Sequence, residues 1–508
     1  MTADSARTGS SQSVLTSTMQ FLRGHAGAVA ALSALLLIPC FWHRHIQAGD
    51  LGSHVYNAWL AQLVERNQVT GLVVAEQWNN VLFDWLVLHL ANHAGFVAAE
   101  RMAVSAGVLI FFWGSFAFLS RVNGRAAWRA TPFLFVLGYG YAFHMGFMNY
   151  YFSIGLALLA LAASWRGGAK NWLLAGAIAA LALVAHPIGF VLFACVAAYV
   201  LLWRVLPRWP RAGLVVAAAV FFGGLRFYFE RHEELAPSWR EEGFLQLLGQ
   251  DQMNVYGHRY GVLAWFALGW GVVCAAAAVY DWIFRGRKPA AGLRLILEIY
   301  VIALIATFCL PENFRTHLYA GWIGLLVSRL TLVTAVFGLA GLAALAVPRW
   351  TWRGAAVIAA VFALFLYQDT GKLDRMETNA RALTSAMAPA TRIVAVANAP
   401  ADWRVSFIYH SIDRACIGHC FSYANYEASS QQFRLRAAPG NYVVTTSVDQ
   451  SDDMSSGDYV VRKKDLPLIS IYQCDDAEFT TLCARELKEG QKTEDPEGEA
   501  VAVPDEEE

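Results

Sequence analysis

The sequence predicts a polytopic α-helical membrane protein, with about eleven transmembrane helices and a small extracytoplasmic α/β domain at its C-terminal end. Three observations carry this expectation. Hydrophobic residues fill 57% of the 508 positions and charged residues only 15%, with a mean hydropathy of +0.39, far too apolar for an ordinary soluble domain. Apolar runs long enough to cross a bilayer recur from residue 24 to residue 368. Near Asp369 the composition changes abruptly to short strand-like segments. The formal net charge is zero, so no basic excess points to nucleic acid as a partner.

Taken in order, residues 1–23, rich in Ser and Thr, read as a disordered cytoplasmic tail. The apolar runs lie near 24–42, 97–120, 129–145, 148–165, 171–186, 188–206, 211–229, 261–284, 294–310, 319–346 and 353–368. The first is read as a retained anchor. A cleaved signal peptide would carry a small-residue cleavage site before Asp50, where the chain has His43, Arg44 and His45. Short loops with Arg121, Arg125 and Arg129, with Arg166 and Lys170, with Arg204, Arg208 and Arg211, with Arg285, Arg287, Lys288 and Arg294, and with Arg349 and Arg353 all fall on one side if 46–96 is a single loop. The excess of Lys and Arg in cytoplasmic loops then places the N-terminus inside and the C-terminal domain outside. Within loop 46–96, residues 48–63 and Val81–His93 read as two interfacial helices, the second too short and too polar to span. Residues 24–368 thus form a transmembrane domain, 369–485 an extracytoplasmic α/β domain and 486–508 an acidic disordered tail. In the α/β domain TRIVAVA, QFRLRA, NYVVTTS and SIYQC read as strands, after a helix over DTGKLDRMETNARALTSAM.

Asp50 and His54 stand four positions apart, hence on one helical face, where the chain leaves the first apolar run. They read as the nucleus of an active site, although Asp50 also suits a helix N-cap and His54 an interfacial position. The outer ends of the other runs add Asn57, His144, Asn149, His186 and the loop PENFRTH with Glu312, Arg315 and His317. His186 before Pro187 could equally mark a helix end. Arg329 lies inside the tenth run, where a charge costs at least about 2.5 to 3.5 kcal/mol. It therefore faces a polar cavity, gripping a phosphate through its planar fork, or pairs with an acid in the bundle.

Cys416, Cys420, Cys474 and Cys483 fall in the C-terminal domain, and an outside location makes two disulfides the economical reading, with three pairings open. A zinc site from Cys416 and Cys420 with His410 and His419 lacks a standard finger spacing.

An acid right after the first span, Arg101 in AERMAVSAGVL, GFMNYYFSIGLALLALA, HPIGF and an Arg within a late span together resemble the GT-C superfamily of integral-membrane glycosyltransferases. The likeness is to bacterial multi-pass members and covers roughly residues 20–415. It implies an inverting glycosyltransferase of the cell inner membrane, part of the cell envelope machinery, moving a sugar from a polyprenyl-phosphate donor to a glycan, lipid or protein acceptor. By the family pattern Asp50 is the general base or helps orient a metal. Arg329 with Arg315 or His317 holds the lipid phosphate, and His54 orients either partner. Many members carry a second acid close to the first, a pair able to bind a divalent metal (Mg or Mn); here the fourth position after Asp50 is His54, and no cofactor is certain.

Two other classes remain in view. A transporter or flippase of a lipid-linked or small anionic substrate would place polar groups near the midplane and reach both faces. A non-catalytic scaffold would concentrate its surface in residues 392–485.

Overall fold

The computed structural model describes residues 14–235, 249–315, 322–474 and 479–494. The chain is mostly helical, and among the described residues seven helices are long and apolar enough to cross a membrane, by length and composition. They are α1 (Val14–Leu37, kinked at His25), α4 (Phe96–Asn123), α9 (Pro187–Val205), α10 (Arg208–His232), α11 (His258–Arg285), α13 (Leu326–Ala344) and α14 (Thr351–Ala386). Three more, α7 (Met148–Ser164), α8 (Ala169–Ala185) and α12 (Leu293–Cys309), have 17 residues each. At about 1.5 Å per residue they reach roughly 26 Å, the short limit for a span.

The apolar run 129–145 differs from expectation. It is not one helix but two short ones, α5 (Thr131–Gly138) and α6 (Tyr141–His144). The break falls at Gly140, where a Cβ would lie 2.5 Å from the Gln252 carbonyl oxygen, so a neighbouring segment occupies the space a continuing helix would need. Close backbone approach also sets the bundle centre. A Cβ at Gly155 of α7 would stand 2.7 Å from the Phe111 Cα of α4, so only glycine lets these two helices meet there.

The basic loops gather at one end of the bundle. Arg129 donates to the Val347 carbonyl (2.6 Å), Ala290 N–H to Ala344 (2.8 Å), and Arg204 to the Trp165 carbonyl. The opposite end carries α2 (Leu51–Glu65) and α3 (Leu82–Ala94), the two helices expected in the first loop. Instead of lying with one face exposed, α2 is buried at 11 of its 15 residues. The cover comes from the C-terminal segment.

That segment grows directly out of α14, which runs unbroken past residue 369. A four-stranded sheet follows, ordered β6 (Phe421–Ser422), β5 (Arg392–Val396), β8 (Ile469–Gln473), β9 (Leu482–Glu486), with β5 parallel to β6 and β8, and β9 antiparallel to β8. TRIVAVA and SIYQC are strands as expected. QFRLRA supplies only β7 (Leu435–Ala437), which pairs not with this sheet but with β1 (Leu72–Val74) of the first loop, Leu72 opposite Ala437. NYVVTTS forms no strand, because the Asn441 side chain accepts from Val443 and Val444 N–H (2.8 and 3.0 Å) and turns the chain. Order persists beyond 486: Leu487 is buried and the Thr493 carbonyl accepts from the Ser470 hydroxyl (2.7 Å). The cysteines pair as Cys416–Cys420 and Cys474–Cys483, which removes both thiols of the zinc alternative.

The joint between bundle and C-terminal segment is ionic and dry. Arg414, on α15 (His410–Ala415), donates from Nε to Glu377 of α14 (3.0 Å) and from Nη1 to Glu100 of α4 (2.7 Å) and the Ile46 carbonyl (2.9 Å); a second bond from Nη2 makes the Glu377 contact bidentate. Replacing Arg414 by Met strands the buried Glu100 and leaves Glu377 only Arg381 (3.1 Å) as a guanidinium partner, and is expected to cost about 3–5 kcal/mol. The check is a clear fall in melting temperature in detergent, partly restored when Glu100→Gln and Glu377→Gln are added.

Candidate functional site at the first-loop carboxylate

The backbone fixes Asp50 first. Its N–H donates to the Met145 carbonyl (3.0 Å), and Gly146, at φ +82°, passes so close that a Cβ there would lie 2.5 Å from the Asp50 nitrogen. Asp50 sits at the start of α2 but its side chain makes no capping bond. The carboxylate is turned toward other groups instead.

Two imidazoles approach it from opposite partners. His54 Nε2 lies 3.6 Å from one oxygen, and its Nδ1 is held by Asp84 of α3 at 2.7 Å. His410 Nε2 lies 3.6 Å from the other oxygen, and its Nδ1 is held by Asp413 at 2.7 Å, which also accepts from the Ser422 hydroxyl at 2.6 Å. The Tyr426 hydroxyl donates to Asp50 at 2.8 Å. Asp50 is therefore the centre of a carboxylate–imidazole chain: Asp84, His54, Asp50, His410, Asp413. The close packing of α2 on α15 makes this chain. A Cβ at Gly52 would fall 2.1 Å from the His410 carbonyl oxygen, so any larger residue pushes His410 away.

The remaining expected residues divide. Asn149 belongs to the cluster, donating to Asp84 at 2.7 Å and accepting from Phe83 N–H at 2.8 Å, so it orients the acid that orients His54. Asn57 exchanges hydrogen bonds with Asn425, while neighbouring Ser53 donates to the buried Glu427 at 3.1 Å. Arg329 lies within electrostatic reach of Asp50, Glu312, Tyr141 and Tyr150. Its guanidinium stacks 4.4 Å from the Phe147 ring centroid, and among the described residues its Nε has no partner and no carboxylate reaches ion-pair distance. The acid that a structural pairing of Arg329 needs is absent among those residues.

His186 turns Nδ1 back to cap Ile188 N–H (3.2 Å), with its ring edge against Tyr150. His144 is buried, its Nδ1 facing both the Gln47 carbonyl (3.1 Å) and the Tyr256 hydroxyl (3.0 Å), and among the described residues its Nε2 has no partner. It sits against the chain leading to Asp50. Arg315 is exposed on the short strand Phe314–Arg315, and His317 lies outside the described residues.

Near this cluster opens a cleft of about 660 Å³, lined by neither Asp50 nor Arg329. Met145, whose carbonyl holds Asp50, forms part of its wall. Its polar floor is Arg404, paired with Asp251 at 3.0 Å, bonded to Ser328 at 2.8 Å and stacked 3.8 Å from the Tyr141 ring centroid, together with Glu312, which accepts from the Ser328 hydroxyl and N–H (2.5 and 3.0 Å). Its apolar side is Ala264 and Trp265 of α11 and Leu325 before α13, with Trp265 63% exposed. A cleft between two apolar helices, with a floor of one guanidinium and the carboxylates of Asp251 and Glu312, suits an amphipathic ligand.

Electrostatics define what the cluster can hold. Burial opposes charge on His54, but Asp84 and then Asp50 and Glu427 outweigh it and raise its pKa from 6.5 to about 10. Burial, reinforced by Asp84 and Asp50 and opposed by His54, lifts the Glu427 carboxyl above the usual range. An imidazolium thus stands where a metal pair would need its second carboxylate, and the Asp50 oxygens face O–H and imidazole groups. No group of three metal-ligating side chains occurs among the described residues. The donor set does not fit a divalent cation.

Because the His54 pKa is higher folded than unfolded, its stabilising share is complete below pH 6.5 and is lost as pH rises through about 10. Glu427 has the same sign, since it too releases a proton on that rise. Thermal stability is expected to fall between pH 6.5 and pH 10, and His54→Gln to flatten the slope, as read by melting curves across that range. Comparisons of this chain with protein-family models, with curated proteins and with solved structures give no match.

Proposed function

We propose that this protein is a membrane glycosyltransferase that moves a sugar from a polyprenyl-phosphate donor to an acceptor hydroxyl at the outer face of the cytoplasmic membrane. The observation that carries the reading is Arg329: a guanidinium with no carboxylate partner among the described residues, in electrostatic reach of a carboxylate held by two imidazoles. A nearby cleft, apolar on one side and walled in part by Met145, supports the reading as an entry for the prenyl chain.

In this reading Asp50 takes the proton of the acceptor hydroxyl as its oxygen forms the bond to the anomeric carbon. The bond from that carbon to the phosphate oxygen breaks, and the electron pair leaves with the polyprenyl phosphate. Arg329 holds the phosphate and meets the charge that grows on it. The His54 imidazolium, fixed by Asp84, keeps one Asp50 oxygen in place, and the His410–Asp413 pair takes the proton onward. No step calls on a metal.

The test is turnover by the purified protein in lipid nanodiscs against a panel of polyprenyl-phosphate sugars. The expected result is sugar release by wild type, donor binding with a rate about 10²- to 10⁴-fold lower for Asp50→Asn, and lost donor binding for Arg329→Gln. Failure of wild type to bind or turn over any donor, or undiminished turnover by Asp50→Asn, sinks the assignment.

A further inference from the structure

At the end of the bundle remote from Asp50, a second cavity of about 200 Å³ lies between α4, α5, α11, α13 and α14. Its rim carries Arg125 and Arg129. Arg349 and Arg287 stand near enough to Arg129 for their like charges to act on it. Asp281 is the acid in ion-pair contact here, and it is taken by Arg285 and Arg287 at 3.2 and 3.0 Å. Arg125, Arg129 and Arg349 have no carboxylate partner among the described residues, although Arg129 donates to the Val347 carbonyl. All three are exposed, so the cluster is a concentrated positive charge open to a ligand.

Below that rim the cavity becomes apolar. Phe133, Cys274, Leu339, Leu342, Trp352 and Ala355 line it, from helices that are themselves long and apolar enough to lie in lipid, α5 excepted. Cations above and hydrocarbon below, on one continuous surface, match a molecule with an anionic head and an acyl chain. A free anion would have no use for the lower part.

We propose that this cavity binds an anionic phospholipid of the adjoining leaflet, with its phosphate between Arg125, Arg129 and Arg349 and one acyl chain between α11, α13 and α14. The inference is independent of the reaction at the other end. It needs only that these helices lie in a bilayer, and it makes the phospholipid a brace across their ends.

The experiment uses the full chain, released from detergent with stoichiometric lipid and read by native mass spectrometry and by melting temperature. The probes are phosphatidylglycerol, phosphatidylcholine and glycerol phosphate. Wild type is expected to retain one phosphatidylglycerol and to melt higher with it. Arg125→Gln/Arg349→Gln is expected to weaken that binding roughly tenfold or more, at about 1 kcal/mol for each surface cation. Arg166→Gln/Lys170→Gln, which removes two charges from the same end outside the cavity, is expected to leave it unchanged. Equal loss in both double variants would show unspecific attraction and overturn the site. Equal retention of phosphatidylcholine, or full competition by glycerol phosphate, would overturn the anionic-lipid assignment. The melting temperature without lipid shows that the variants fold.

Discussion

Everything near Asp50 depends on the buried guanidinium of Arg414. It joins the start of the first loop at Ile46, the second long apolar helix at Glu100 and the last one at Glu377, three segments far apart in the chain. Taking these charges out of water is expensive, and apolar residues of the same volume would hold the segments at least as tightly. A planar fork bonded to two carboxylates and a carbonyl adds geometry: it fixes one orientation of α15 on the bundle. Around it Gln47 donates to Glu377 at 2.8 Å, and His45 donates backbone N–H to Asp374 at 2.8 Å, so the chain entering Asp50 is tied down on both sides of Ile46.

With α15 set, the rest of the site follows by contact. His410 begins that helix, and the glycine at position 52 lets it close onto α2. The first loop and the C-terminal segment then share a strand pair, a Tyr56–Ser422 bond and the Asn57–Asn425 exchange. The C-terminal segment is therefore part of the site rather than a module appended to a bundle. Arg329 comes out of the bundle itself, its guanidinium stacked on Phe147 and within electrostatic reach of Asp50.

Much of the bundle was legible because crossing hydrocarbon needs long apolar runs and little else. The run over 129–145 misled because composition does not report a neighbour's backbone; Gln252, 112 positions on from Gly140, is what breaks it. At the site, Asp50 and His54 could be paired by helical spacing, and Arg329 stood out by its cost in a span. Asp84 could be found only as a stray acid in the same loop. His410, Tyr426 and Glu427 carry no signal that ties them to Asp50, since their proximity is set by tertiary packing more than 350 positions away. His144 misled in a different way: an imidazole at the mouth of a bundle reads as reactive, yet it is buried against the Gln47 carbonyl.

The central claim is that Arg329 and Asp50 hold the two sides of one reacting bond. The most direct measurement is an electron cryo-microscopy structure of the protein in nanodiscs with an uncleavable polyprenyl-phosphate sugar analogue. The account predicts the phosphate against the Arg329 guanidinium, the prenyl chain leaving past Trp265 and the anomeric carbon facing Asp50. A phosphate bound elsewhere, with Arg329 still unpaired or paired to an acid of the chain, would contradict it.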